Sequence, residues 1–357
     1  MAFQIRVEPS GHAFQAAADE SLLDAALRQG VMLPYGCRDG ACGSCRGKVL
    51  AGQVDHGRAP QHTLSAADRR AGAALFCCAR ARSDLTIESK ELRSPQELPV
   101  KTLPARVQKL TLAAPDVMIM ELKLPASERL QFFAGQYIEI LLKDGRRRAF
   151  SLANAPHTDG CGCLQLHIRR TPGGQFTDHL FTAMKERDML RFRGPYGSFF
   201  LREESTKPML LVAGGTGFGP IKAIVEQVIV ERSARPMDIY WGGRQPADLY
   251  LLPVAERWAL EQPNIRFVPV LSDLPQGRPE QAHWHGRSGL VHAIAMEDFP
   301  DLSGHQVYVC GSPAMVAAAR RDFIGHCALP ENEFLADSFE FANDDATPVP
   351  GSSTTAD

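Results

Sequence analysis

Residues 35–49 read YGCRDGACGSCRGKV and place Cys37, Cys42 and Cys45 within nine positions. Three readings compete: a small apolar core, disulfides, or a metal. A buried free cysteine behaves as a small hydrophobe, but Gly36, Gly40, Gly43, Ser44 and Gly47 offer little apolar company. Disulfides belong to oxidising compartments. The opening MAFQIRVEPSGHAF has no cationic segment followed by an apolar core and a small-residue cleavage site. No run of about 18 apolar residues suggests a membrane span. The chain is therefore expected in the cytoplasm with reduced thiols, and metal is the favoured reading.

Structural zinc uses paired C-x2-C knuckles, and among these three thiols only Cys42 and Cys45 have that spacing. C-x4-C-x2-C with a distant fourth Cys is the plant-type spacing for a 2Fe–2S cluster. A fourth thiol is available in ALFCCARARSDLTI, where 31 residues separate Cys45 from the first of the pair Cys77 and Cys78. The glycines then gain a reason. Backbone must wrap closely around sulfide, with amide N–H groups turned toward its negative charge. Zinc is the alternative.

The run PYGCRDGACGSCRGKVLAGQVD followed by LFCCARARSDLTI resembles a plant-type ferredoxin domain from beginning to end. In that family the last ligand sits seven residues before the Asp of an S-D-(V/L) segment, which here is Asp84. The resemblance implies Cys37, Cys42, Cys45 and Cys77 as ligands, with Cys78 a bystander.

A length of 357 residues suggests two or three domains. The composition, 44% hydrophobic and 22% charged, is that of a globular chain with a sizeable core. A net charge of −2 gives no argument for nucleic acid or an anionic membrane. Cys161 and Cys163 flank a Gly160/Gly162 turn without a second knuckle, and read as an incidental pair at a hairpin.

FQIRVE alternates as a strand, and ESLLDAALRQG is a short helix with Ser21 and Asp24 in capping-box spacing and Gly30 as C-cap. TIESKEL closes this first unit, and RSPQELPVKTLP, rich in proline and polar residues, reads as a linker. ARVQKLTL, MIMELKL, GQYIEILL, RRAFSLA, CLQLHIRR and DMLRFRGPYGSF predict an antiparallel barrel, interrupted by a helix in GQFTDHLFTAMKE. From Pro208 apolar strands (PMLLVAGG, MDIYWGG, NIRFVPVL, HQVYVCGS) alternate with helical stretches, which predicts a parallel sheet covered on both faces. The tail from Asn343 has little to bury and is expected to be disordered. The expected division is 1–91, an α+β ferredoxin (β-grasp) unit; 92–103, linker; 104–204, an antiparallel barrel; 205–342, an α/β unit; and 343–357, tail.

Two further constellations follow. RRRAFSLANAP contains Arg148, Phe150 and Ser151 as R-x-(Y/F)-S. A guanidinium suits a diphosphate, and an aromatic two positions on shares its strand face and can cover a flat ring. In HIRRTPGGQFTDHL, Gly173 and Gly174 precede Gln175 and Thr177 at a helix start, where free N–H groups favour phosphate. The two together resemble the flavin domain of the ferredoxin–NADP reductase superfamily. That resemblance implies that Arg148 and the Gly173–Gly174–Thr177 turn hold the FAD pyrophosphate while Ser151 approaches the flavin N5. Phe150 stands where many members have Tyr.

LLVAGGTGFGP fails the Rossmann fingerprint, since Pro220 takes the place of its last glycine. Gly214, Gly215 and Gly217 still permit close backbone approach, and Pro220 suits a first helical turn. The run resembles the same superfamily's G-G-T-G-x-x-P nicotinamide motif, through Thr216 to Pro220. Cys310, Gly311 and Met315 resemble its C-G-x-x-x-M segment, whose Cys lies near the nicotinamide. FLADSFEFA resembles the segment after the last strand, where an aromatic reaches back to the flavin: Phe339, with Phe341 in reserve. Asp238 begins its strand and is badly placed for adenosine ribose; Asp248 is the substitute. No Ser–Arg pair for a 2′-phosphate stands out, although Arg244 leaves NADPH open, so NADH is the expected donor.

A nicotinamide gives two electrons at once, whereas a 2Fe–2S cluster takes them singly, and a flavin converts between the two. The order NAD(P)H, FAD, cluster, external acceptor follows. The ordered chain resembles bacterial electron-transfer reductases with an N-terminal ferredoxin domain, among them reductase components of phenol hydroxylase and aromatic dioxygenases and CDP-6-deoxyglucoseen reductase. The resemblance implies a redox-protein partner, an oxygenase component first and a sugar dehydrase as the alternative. A flavin or ferric reductase would not need the cluster, and a passive ferredoxin would not need AGGTGFGP.

Overall fold

The computed structural model describes residues 2–89, 98–273 and 284–339. Phe341, the tail from Asn343 and half of the expected linker lie outside them.

The first unit contains β1 (Ala2–Glu8), β2 (Ala13–Ala17), α1 (Leu22–Arg28), β3 (Arg46–Ala51), β4 (Val54–Asp55), α2 (Ala66–Arg70), β5 (Ala73–Leu75), β6 (Arg80–Ala81) and β7 (Leu85–Glu88). Its sheet runs β2-β1-β7-β3-β5, with β1 parallel to β7 and the other pairs antiparallel. Alternation in β1 sends Ile5 and Val7 inward, where they meet Leu22, Leu23 and Ala26 of α1. Ser21 caps α1 by accepting from the Asp24 N–H, and Gly30, at φ +80°, turns the chain out of it. Residues 30–45 form irregular backbone between α1 and β3, so the three clustered cysteines sit on a loop anchored at both ends.

The second unit is the expected antiparallel barrel: β8 (Lys101–Ala114), β9 (Val117–Lys123), β10 (Tyr137–Leu141), β11 (Arg147–Ser151), β12 (Cys163–Arg169) and β13 (Met189–Tyr196), with α3 (Gln175–Thr182) after β12. The strand order is β11-β10-β13-β8-β9-β12, and a bridge between Leu152 and Leu166 joins the two ends. β8 opens inside the stretch read as linker. Leu103, Ala105 and Val107 alternate inward there, and that burial overrides the prolines.

The third unit is a parallel sheet in the order β17-β16-β15-β14-β18-β19. Its elements are β14 (Met209–Gly214), α4 (Phe218–Val230), β15 (Met237–Gly243), α5 (Leu252–Glu261), β16 (Ile265–Leu271), β17 (Arg287–Ser288), α6 (Val291–Asp298), β18 (Gln306–Gly311), α7 (Pro313–His326) and β19 (Phe334–Ser338). Met209, Leu211 and Ala213 join the core under α4, whereas Leu210 and Val212 join the core under α6 and α7. Both faces are thus covered. One expectation needs correction: FLADS does not follow the last strand but is itself an edge strand, parallel to β18. Residues 334–338 are largely buried against that neighbour, which a short run containing Asp and Ser does not announce.

Candidate electron-transfer site

The thiols of the cysteine loop form two pairs. Cys37 and Cys42 Sγ lie 3.2 Å apart, and Cys45 and Cys77 Sγ lie 3.1 Å apart. Among the described residues no three ligating side chains gather to hold a single metal ion. Two pairs of thiols suit two metal atoms, and a zinc knuckle needs all four around one. The Cys42 N–H donates to Cys37 Sγ at 3.3 Å and the Ser44 N–H to Cys42 Sγ at 3.4 Å. These are the inward-turned amides that a negatively charged cluster requires. Gly40 and Gly43 hold φ of +93° and +71°, conformations that would strain an L side chain. Hydrogen bonds from the Cys37 thiol and from Ser44 hold the Cys42 thiol below the usual thiol range against its burial. Cys78 points elsewhere: its Sγ is 3.7 Å from Cys77 Sγ and packs beside Gly40 and Pro60.

This loop is docked against the other two units. Ser198, just past β13, donates its N–H to the Tyr35 carbonyl at 2.7 Å and accepts the Tyr35 N–H at 2.7 Å. Ser44 donates to the Ala336 carbonyl of β19. Gly36 approaches so closely that a Cβ there would lie 2.8 Å from Asp337 Oδ1 and 3.1 Å from Cys42 Sγ.

Behind that contact is a cleft of about 330 Å³ between the barrel and the parallel-sheet unit. It brings together Arg148, Phe150, Ser151, Gly174, Thr177, Thr216, Pro220 and Phe339, and Cys37 lines it too. Arg148 and Phe150 share one face of β11, and Phe150 packs on Phe176 of α3 with centroids 5.3 Å apart. The Ser151 hydroxyl is buried without a hydrogen bond of proper geometry, although it exerts a weak downward pull on Asp337. An orphaned buried hydroxyl in such a cleft is a partner waiting for a ligand atom. Thr177 is already engaged: its hydroxyl donates to the Thr171 carbonyl at 3.0 Å and accepts the Thr171 N–H at 3.1 Å. It braces the turn in which Gly173 takes φ +79° and Gly174 is the N-cap of α3. A cradle with a guanidinium, a helix start, aromatic rings and an unpaired hydroxyl fits FAD.

Gly214, Gly215, Gly217, Cys310, Gly311 and Met315 form a second group beside the cleft. A Cβ on Gly217 would strike the Cys310 carbonyl at 2.1 Å, and the Met315 thioether fills the space left by Gly214 and Gly311. The glycines therefore let β14 and the start of α4 press on β18, and α4 begins without a side-chain cap. Its first turn, with Thr216 before it and Pro220 within it, fits a dinucleotide phosphate. The Cys310 side chain is wholly buried in the core and does not line the cleft. Arg244 is exposed.

Asp248 is buried, and its carboxylate accepts the N–H groups of Arg244 at 2.8 Å and Gln245 at 3.1 Å and pairs with Arg169 at 3.0 Å. Burial pushes its pKa up, but these donors outweigh that and hold it below the usual carboxylate value. The expected ribose ligand is thus engaged by protein donors, and Asp238 pairs with Arg266.

Sequence reading missed Tyr137, His167, Arg169 and Asp337, all of which line the cleft. Arg169 bridges Asp116 of the barrel at 3.2 Å and Asp248 of the neighbouring unit. His167 Nδ1 meets the Tyr250 hydroxyl at 2.9 Å across the same seam. The period-2 spacing of His167 and Arg169 in LHIRR was the available signal. Burial pushes Asp337 well above the usual carboxylate range, and Cys42 adds to that. Asp337 had no clear signal, since FLADS sets Asp beside Ser and does not read as a buried strand.

The comparisons with known proteins agree with this arrangement. Family profiles match a 2Fe–2S iron–sulfur cluster binding domain at residues 5–82, an oxidoreductase FAD-binding domain at 104–201 and an oxidoreductase NAD-binding domain at 211–321. The chain is 39% identical over 339 residues to the CDP-6-deoxy-L-threo-D-glycero-4-hexulose-3-dehydrase reductase of Yersinia pseudotuberculosis, covering 95% of this chain and 99% of that protein. It is 37% identical over 342 residues to the terephthalate 1,2-dioxygenase reductase component 1 of Comamonas sp., covering 95% and 98%. The crystal structure of the Amycolatopsis cytochrome P450 reductase superposes with a TM-score of 0.72 at 37% identity, covering 94% of this chain and 98% of that one. Among the described residues no helix is long and apolar enough to cross a membrane. With its paired thiols, flavin cleft and glycine-lined nicotinamide turn in one chain, the protein belongs to the family of iron–sulfur flavoprotein oxidoreductases that use a 2Fe–2S cluster, FAD and a nicotinamide cofactor.

Proposed function

We propose that this chain is the NADH-dependent reductase component of an oxygenase or hydroxylase, with Cys37, Cys42, Cys45 and Cys77 as cluster ligands. The observation that carries the reading is that Cys37 lines the same cleft as Phe150, Ser151 and Phe339. The cluster loop and the flavin cleft thus share a wall. FAD supplies the conversion of a hydride into electrons released singly. Arg148 and the α3 start, with Gly173, Gly174 and the bracing Thr177, bind its pyrophosphate. Phe150 covers its ring system and Ser151 offers a hydroxyl to it, while Phe339 stands on the nicotinamide side. Gly214, Gly215, Thr216, Gly217 and Pro220 receive the dinucleotide phosphates, and Gly311 and Met315 shape the wall behind them. Cys310 supports that wall from the core.

A sugar-dehydrase partner is the second reading, favoured by the 39% identity to the Yersinia reductase. Four of the nine cysteines are the cluster ligands and the other five are free thiols, which fits the cytoplasm. NADH is the donor because no Ser–Arg pair for a 2′-phosphate stands out; Asp248, already engaged, positions the Arg244–Gln245 turn. The test is reduction of cytochrome c and ferricyanide by the parent and Cys45→Ser proteins. Loss of cytochrome c reduction with ferricyanide reduction largely kept supports the cluster as the outlet. Undiminished cytochrome c reduction contradicts it, and a kcat/KM favouring NADPH contradicts the donor.

A further inference from the structure

The cysteine loop has two sides with different surroundings. On the inner side Cys37 and Asp39 line the flavin cleft, and Gly36 abuts Ala336 and Asp337. On the outer side the Cys78 thiol packs against Gly40, and the Cys78 carbonyl meets Gly57. Next to Gly57 stands Arg58, exposed and close enough to Cys78 to bear electrostatically on its thiol. Arg80 sits opposite Asp55 in the β4–β6 ladder, and Arg82 forms an ion pair with the same carboxylate. Arg69 reaches in from α2 to donate to the Ala59 carbonyl at 2.8 Å. Asp55 also accepts the Gly57 N–H at 2.9 Å, and Asp68, the nearest acid on α2, is taken by Arg46. Arg58, Arg69, Arg80 and Arg82 therefore outnumber Asp55 and Asp39 around Cys78, the residue next to Cys77, and none of the four arginines lines the flavin cleft.

We propose that this arginine rim is the exit face of the relay, the surface on which an acceptor protein docks through an acidic rim around its own redox centre. The proposal rests on the relay reading above. Each NADH oxidised yields NAD+, a proton and two electrons, and these leave one at a time to reduce two acceptor molecules. No bond forms between the partners. Opposite charge steers the encounter and fixes its register, and both effects weaken with salt.

The test compares the full holoprotein with the charge-reversed pair Arg58→Glu and Arg80→Glu and the neutral pair Arg58→Gln and Arg80→Gln. The probes are cytochrome b5, whose haem edge is acidic, and cytochrome c, whose haem edge is basic. Calorimetric titration of oxidised cytochrome b5 should show binding at low ionic strength that salt weakens. Charge reversal should weaken it by about tenfold or more, with the neutral pair in between. The rate of cytochrome c reduction should move the opposite way. Cytochrome b5 binding that ignores both salt and charge reversal overturns the proposal, as does faster cytochrome c reduction by the parent than by the reversed protein. Bleaching of the cluster by NADH is followed in the same samples. Unchanged bleaching beside lost cytochrome b5 binding supports the exit face, whereas no bleaching in the parent sinks the relay reading itself.

Discussion

Gly36 is where the ferredoxin-like unit presses on Asp337 of the flavin cleft, and Gly36→Ala tests that contact. Its backbone is not in the left-handed region, so alanine brings no local strain. The added Cβ would stand 2.8 Å from Asp337 Oδ1, 3.1 Å from Cys42 Sγ and 3.4 Å from the Ala336 carbonyl. The first contact is roughly 0.6 Å short of ordinary van der Waals separation. Asp337 has a short side chain and is itself buried, so the loop must move away from β19. Overpacking of this kind costs about 1–3 kcal/mol. The deepest overlap is with Asp337 rather than with Cys42 Sγ, so the cost falls first on the docking contact. Iron content, visible spectrum and FAD content should match the parent. In anaerobic stopped flow with NADH, flavin bleaching should keep its rate while cluster bleaching slows. Cluster bleaching at the parent rate would show that the loop does not sit against Asp337 in solution. Loss of iron on purification would show that the cost falls within the cluster fold instead.

Cys77→Ser should abolish the iron–sulfur absorbance while Cys78→Ser keeps it, since only Cys77 pairs with Cys45; iron analysis with visible spectra decides, and the reverse pattern would exchange their roles. His167 is buried, and burial together with the Lys222 charge lowers its pKa from 6.5 to about 3. The unfolded chain takes this proton first, so stability falls as pH drops through 6.5 and the loss levels off below about 3. The slope in between is on the order of 1 kcal/mol per pH unit. His167→Gln should flatten the fall in melting temperature between pH 7.5 and pH 5, and parallel profiles for the two proteins would refute this. Phe339→Ala should change hydride transfer from NADH more than cluster reduction; unaltered flavin bleaching would leave Phe339 as a residue that packs on the core just past the edge strand.

The parts of the site that sequence made legible are those that depend on local chemistry. The spacing of Cys37, Cys42 and Cys45, the Arg148–Phe150 alternation and the Gly214–Pro220 turn each act within a few residues. Their neighbours in sequence are also their neighbours in space. Asp337 and Arg169 were opaque for the opposite reason. Asp337 matters because Gly36, some three hundred positions earlier, is pressed against it. Arg169 matters because Asp116 and Asp248 lie on different units. Asp248 shows a third case: its place after β15 suggests ribose, and only the structure shows that two backbone N–H groups and Arg169 also hold its carboxylate. β19 escaped notice because an edge strand needs only one apolar neighbour, and FLADS shows no clear alternation.

The central claim is that electrons from the nicotinamide reach the cluster only by way of the flavin. Anaerobic stopped flow of NADH against protein holding about two irons and one FAD per chain tests it most directly. Flavin absorbance should bleach first and cluster absorbance should follow. Protein stripped of FAD, with its iron intact, should show no cluster bleaching until FAD is restored. Cluster bleaching by NADH in the FAD-free protein would contradict the claim.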